Sequence, residues 1–236
     1  MTKYKTSVIK RRIVKNIFSD RSSLVLRALL REPEKKWTLS ELSKEGVSFG
    51  LASDVLSKAE ARGYVERVAK GPESYSRLIR KGDLLKDWLK TYSFEQNDQA
   101  YFLSTDRNFL KNCTQYLSQR KKVFALTLYS GSRLISPYVK DDRHFIYLDL
   151  SLEEFPELLN HLESQLNLYK LVQGGNVCFV LPFYRSAVFK DSKKIKGYPV
   201  VSPLQLYLDL MTFPPTGAEE AEHLISHFKK KGRSFV

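Results

Sequence analysis

A helix, a short extended piece, two further helices and a hairpin between Asp20 and Arg80, with strands and helices mixed irregularly beyond them, predict an α+β chain. The first part reads as a winged helix-turn-helix domain, and the expected domains are therefore residues 1–92 and 93–236, the second a mixed α+β domain. Charge divides the chain at nearly the same place. Met1–Lys90 holds 21 Lys and Arg against 11 Asp and Glu, whereas Thr91–Val236 holds 18 against 15, so most of the formal +13 belongs to the first third. No stretch is apolar for long enough to span a bilayer, and Met1–Lys15 lacks the apolar core of a signal peptide, so a cytoplasmic protein is expected. Cys113 and Cys178 are separate and form no CxxC pair, which reads as two reduced thiols.

The elements follow in order. Ahead of Asp20 stand Lys3, Lys5, Lys10, Arg11, Arg12 and Lys15 without an acid, the composition of an arm that tracks a phosphate backbone. "DRSSLVLRALLRE" is a compact helix with Asp20 or Ser22 as its cap and Pro33 as its stop. Trp37 is extended, and Thr38 or Ser40 then opens a brief helix that Gly46 closes. In "SFGLASDVLSKAEARGYVERV", a wheel of about 100° per residue gathers Leu51, Ala52, Val55, Leu56 and Ala59 on one side. Gly50, Ser53, Asp54, Ser57 and Ala61 fall on the other. Gly63 supplies a left-handed stop, and "YVERVAK" and "SYSRLIR" are two short strands joined by "GPE".

A helix face made of small residues can enter a major groove about 12 Å wide without obstruction. On that face Ser48, Ser53 and Ser57 offer hydroxyls to phosphates or base edges, beside Gly50 and the flanking Lys58. Arg67, Lys70 and Arg77 on the hairpin, with Lys10, Arg11 and Arg12 of the arm, would meet neighbouring phosphates. Double-stranded DNA is the expected partner. Asp54 opposes it, because a carboxylate is repelled by phosphate unless it accepts from a cytosine amino group. Winged helices also serve as protein-binding modules, against which the basic arm and hairpin argue.

"LLKDWLKTYSF" is an amphipathic helix, and the polar run "EQNDQ" is the expected boundary. A helical stretch from Tyr101 to Arg120 should follow, then an apolar "VFALTLYSGSRLI", a strand "HFIYLDL" and a helix "PELLNHLESQL". "NLYKLVQGGNVCFVLPF" reads as a hairpin turning at Gly174-Gly175. "YPVVSPLQLYLDLM" passes from strand to helix, with Ser202 as cap and Pro203 at the first helical position, and a last helix spans about Ala218 to Lys231. Between them, Lys190, Lys193, Lys194 and Lys196 read as a solvated loop.

Catalytic patterns are incomplete. Nucleotidyltransferases pair a Gly-Ser turn with a strand bearing two carboxylates one residue apart, which hold magnesium. Here Ser132 and Asp149 are too widely spaced, and the second carboxylate position is Ser151. The Glu-x-Lys pair of a nuclease strand is missing from "NVCFVLPF". His223 and His227 have the four-residue spacing of a helical metal pair but no third ligand in sequence, so a solvated helix face is expected, with no catalytic residue, metal or cofactor. The alternative is a nucleic-acid-directed enzyme, nucleotidyltransferase-like or nuclease, which the winged helix delivers.

With "GLASDVLSKAEARGYVERV", "FALTLYSGSRLISPYV", "RHFIYLDL", "GGNVCFVLPF" and "GYPVVSPLQLYLDLM" in this order, the chain resembles the AbiEi-like antitoxins of type IV toxin-antitoxin systems. The more specific pieces are an "ALT" helix, a "PYV" stop and the "PVVSPLQLYLDL" helix. The resemblance implies an N-terminal domain that represses its own operon and a C-terminal domain that acts as antitoxin. It implies a nucleotidyltransferase-like toxin as functional partner, without a stable complex between the two. Carried over by position, it reaches Ser48, Ser53 and Ser57 on the recognition helix and Lys70 and Arg77 on the wing.

Overall fold

The computed structural model describes residues 15–232. The expected basic arm, with Lys10, Arg11 and Arg12, lies outside them. The first helix, α1 (Asp20–Arg31), ends before Pro33. Its cap differs from expectation: Ser19 is the N-cap and makes no side-chain cap bond, while the Asp20 carboxylate accepts from the backbone amides of Ser186 and Ala187. Trp37 is extended and exchanges two 2.8 Å backbone hydrogen bonds with Ser76. α2 (Leu39–Ser43) opens on a complete capping box between Thr38 and Glu41. Gly46, with φ +98°, turns the chain into α3 (Phe49–Ala61). Ala52, Val55, Leu56 and Ala59 of α3 are buried against α1 and α2. Gly63 at φ +73° ends this helix as expected, and β1 (Val65–Val68) and β2 (Tyr75–Leu78) pair antiparallel around a 3₁₀ turn at Gly71–Glu73.

α4 (Lys81–Leu89) leads to the polar run that the sequence offers as a boundary. That run is structured. A 3₁₀ turn at Phe94–Gln96 is capped by Ser93, and buried Asn97 donates to the Phe94 carbonyl and accepts from the Phe183 amide.

The remaining strands are β3 (Asp98–Leu103), β4 (Phe124–Leu126), β5 (His144–Leu148), β6 (Tyr169–Leu171), β7 (Val177–Leu181), β8 (Lys193–Ile195) and β9 (Tyr198–Val200). They form one mixed seven-stranded sheet in the order β6-β3-β7-β5-β4-β9-β8. The helices between them are α5 (Phe109–Gln119), α6 (Leu128–Ile135), α7 (Glu154–Gln165), α8 (Pro203–Met211) and α9 (Gly217–Lys230). α6, α8 and α9 pack on one another over the face carrying Phe145 and Tyr147, and Phe109 of α5 packs on Phe179 across the other.

Two expectations fail here for one reason. The helix expected from Tyr101 is a strand up to Leu103, and α5 starts only at Phe109, after Asp106 has bonded the Asn108 amide. The hairpin expected at Gly174-Gly175 does not form, because β3 inserts between β6 and β7 and pairs antiparallel with both. The chain therefore crosses the end of β3, so closely that a Cβ at Gly175 would stand 2.3 Å from the Phe102 carbonyl oxygen. "ALT" likewise belongs to the end of β4 and the cap of α6 rather than to a helix. The lysine-rich "loop" contains edge strand β8, paired with β9. Ser202 and Pro203 open α8 as expected, with the Ser202 hydroxyl accepting from the Gln205 amide.

Gly131 lies in α6 where the helix meets its neighbours. A Cβ there would stand 2.8 Å from Leu206 Cδ2 and 3.0 Å from Val200 Cγ1, both fully buried. Gly131→Ala is expected to overpack this site and cost about 1–3 kcal/mol, read as a lower urea midpoint at unchanged m-value.

Candidate nucleic-acid interface

On α3 the buried stripe leaves Phe49, Ser53 and Ser57 in one row spaced by four residues, which runs from the edge of the stripe beside Leu56 out to the solvent side. Ser48 is first a cap, its Oγ accepting from the Leu51 amide at 3.2 Å. Gly50 is exposed, and a Cβ there would meet nothing within 4 Å. Phe49, which sequence reasoning passed over, is 57% exposed at the start of that row. The wheel gives no sign of this: Phe49 falls about 20° from buried Leu56, at the edge of the apolar stripe, so its exposure is visible only in the structure.

The arginines of the hairpin are already engaged. Arg67 donates to Ser57 Oγ at 2.6 Å and lies 3.9 Å from the Glu60 carboxylate, so it ties β1 to the exposed side of α3. Arg77 faces Glu66 across the β1/β2 pair and donates to it at 2.8 Å. Both pairs are partly exposed, and each carboxylate offsets the charge its arginine offers to a polyanion. Lys58 and Lys70 have no acidic partner within ion-pair distance, which leaves them as the free cations among the described residues of the expected set. Between the hairpin and the Trp37–Leu39 segment lies a cleft of about 610 Å³ lined by Trp37, Glu60, Arg67 and Tyr75.

This helical part is joined to the sheet through buried polar contacts. Arg27 of α1, 3% exposed, donates from Nη2 to Gln205 Oε1 at 2.6 Å, with its guanidinium 5.5 Å from the ring centroid of Trp88 and 5.8 Å from that of Tyr184. Gln205 Nε2 donates to Asp209 Oδ1 at 2.8 Å, so the amide links a buried cation to a buried anion. The Asp209 carboxylate also accepts from Tyr92, Tyr147 and Thr127. Burial pushes its pKa up to about 6 in spite of these four donors. Nearer the surface, Arg31 bonds both Glu45 and Asp191, and Lys190 reaches Glu45 at 3.0 Å.

The catalytic patterns weighed in the sequence do not assemble. Gly131 and Ser132 sit inside α6 rather than on a turn, and the fully buried Ser132 hydroxyl has no hydrogen-bond partner among the described residues. Asp149 follows β5 and binds through its amide to the Val123 carbonyl. His223 stacks on Tyr138 with ring centroids 4.5 Å apart and bonds Ser136, whereas His227 packs against Phe228. No cluster of three or more His, Cys, Asp and Glu suited to a metal occurs among the described residues. Cys113 and Cys178 are both buried free thiols, and burial pushes the Cys178 thiol up to about 12.

Fold and site together define a mixed α+β protein whose small basic helical part is joined by buried ion and amide contacts to a seven-stranded sheet. A family model described as "Transcriptional regulator, AbiEi antitoxin, Type IV TA system" matches residues 77–228. The chain belongs to this family, and is a transcriptional regulator and antitoxin of the type IV toxin-antitoxin kind. No curated protein and no solved structure matches it. The match begins within β2, so α1, α2 and α3 lie ahead of it. No helix among the described residues is long and apolar enough to cross a membrane.

Proposed function

We propose that α1, α2, α3 and the β1/β2 hairpin form a winged helix-turn-helix, and that α3 enters the major groove of the operator upstream of the chain's own gene. The observation that carries the reading is the solvent side of α3: Gly50 open, Ser53 and Ser57 small, and the unpaired Lys58 and Lys70 at its flank and on the wing. Ser48 and Arg67 hold helix and wing in place, Arg77 lends a partly neutralised charge, and Lys10, Arg11 and Arg12 add phosphate contacts from outside the described residues. Residues 1–92 act as the DNA-binding domain and 93–236 as the antitoxin domain. The result is autorepression in the cytoplasm, with a nucleotidyltransferase-like toxin as functional partner and no stable complex between them.

Binding of the full chain to its upstream DNA and to a scrambled duplex, across a salt series, tests this. A specific complex that weakens steeply with salt is the expected result. Equal, weak binding to both duplexes would remove the operator reading. Co-expression with a nucleotidyltransferase-like toxin then tests neutralisation, and toxicity undiminished by the chain would remove the antitoxin assignment of residues 93–236.

A further inference from the structure

Among the side chains of α3 that face solvent, one is large and apolar. Phe49 is 57% exposed, whereas Ala52, Val55, Leu56 and Ala59 of the same helix are fully buried. It shares its line with Ser53 and Ser57, and the exposed Gly50 beside it leaves the space next to the ring open. The flanking cations Lys58 and Lys70 favour a polyanionic partner over an apolar protein surface. In a major groove the apolar feature available to such a ring is the C5-methyl group of thymine, which no other base presents.

We propose that Phe49 is a specificity-determining residue that reads a thymine methyl group in the operator. This rests on the reading of α3 as the groove-facing helix and adds the base it recognises. The ring supplies apolar surface at the leading end of the helix, while Ser53 and Ser57 behind it are short enough to let the ring reach the base edges. Burying one methyl group against apolar surface changes affinity by about fourfold, enough to prefer thymine at one position without dominating binding.

Deoxyuridine is thymidine without that methyl group and gives a direct probe. Each thymine of the footprinted operator is replaced in turn by deoxyuridine, and the duplexes are titrated with the unaltered chain, Phe49→Ala and Phe49→Leu. Phe49 is exposed, so both variants are expected to keep the unaltered melting temperature. The unaltered chain should lose about fourfold at one thymine of each half-site, Phe49→Ala should bind thymine and uracil duplexes equally there, and Phe49→Leu should keep part of the discrimination. Indifference of the unaltered chain to every substitution, or undiminished discrimination by Phe49→Ala, overturns the proposal while leaving DNA binding intact. Absence of any specific DNA complex overturns both the proposal and the reading beneath it.

Discussion

Asp209→Ala is expected to destabilise the protein by about 3–5 kcal/mol, because it removes the buried acceptor for four donors at once. Asp209→Asn keeps the shape and one acceptor oxygen, so its loss should be much smaller, and its effect lies in pH. The folded-state pKa of Asp209, about 6, lies above that of an unfolded chain, so the folded protein holds this proton more tightly. Its contribution to stability is therefore fully present below about pH 4, declines by about 3 kcal/mol as pH rises to about 6, and is flat above. Tyr92 and Tyr147 do not titrate in that window, because burial holds both well above the usual tyrosine range. Urea unfolding of the unaltered chain and Asp209→Asn between pH 4 and 8 checks this. The difference between the two curves should change across pH 4–6 and nowhere else. A constant difference would mean that Asp209 keeps the same charge state folded and unfolded.

Lys58→Ala combined with Lys70→Ala is expected to flatten the plot of log affinity against log salt by about 1.8 units, because each phosphate that a lysine neutralises adds roughly 0.9 to the slope. Between 50 and 200 mM salt that amounts to about a twelvefold smaller change in affinity. Arg77→Ala should change the slope by less than either lysine, because Glu66 already faces its guanidinium at 2.8 Å. Arg67→Ala acts differently. It releases Ser57 and Glu60, so it should loosen the wing against α3 and reduce preference for the operator more than it reduces the slope. An unchanged slope in the lysine pair would mean that this side of α3 does not meet phosphate.

The hairpin pairings show how a reading of charge from sequence needs revision. Lys and Arg were legible as a basic set, but not which of them were free. Glu66 precedes Arg67 in sequence yet pairs with Arg77, because the antiparallel register sets Glu66 opposite Arg77. Arg67 turns instead to Ser57, ten residues earlier. Phe49 escaped for a related reason: it stands about 20° from Leu56 on the helical wheel, where an aromatic ring is ordinarily counted into the core, and only the structure shows it 57% exposed.

What the sequence determined by itself is local. Thr38 and Ser202 cap their helices, Gly46 and Gly63 take positive φ, and α3 divides into a buried and a small side, because each outcome depends on residues within a turn or two of chain. Family membership was legible too, from "GSRLISPYV", "GGNVCFVLPF" and "PVVSPLQLYLDL" in their order. The tertiary structure alone decided that Tyr101 begins no helix, that β3 separates β6 from β7, and that Arg27 meets Gln205 from 178 residues away. Phe102 has the same neighbours in sequence whether the segment is helix or strand. Burial between two flanking strands makes the strand the state of lower free energy, and those strands come from residues 169–181, which no local window contains.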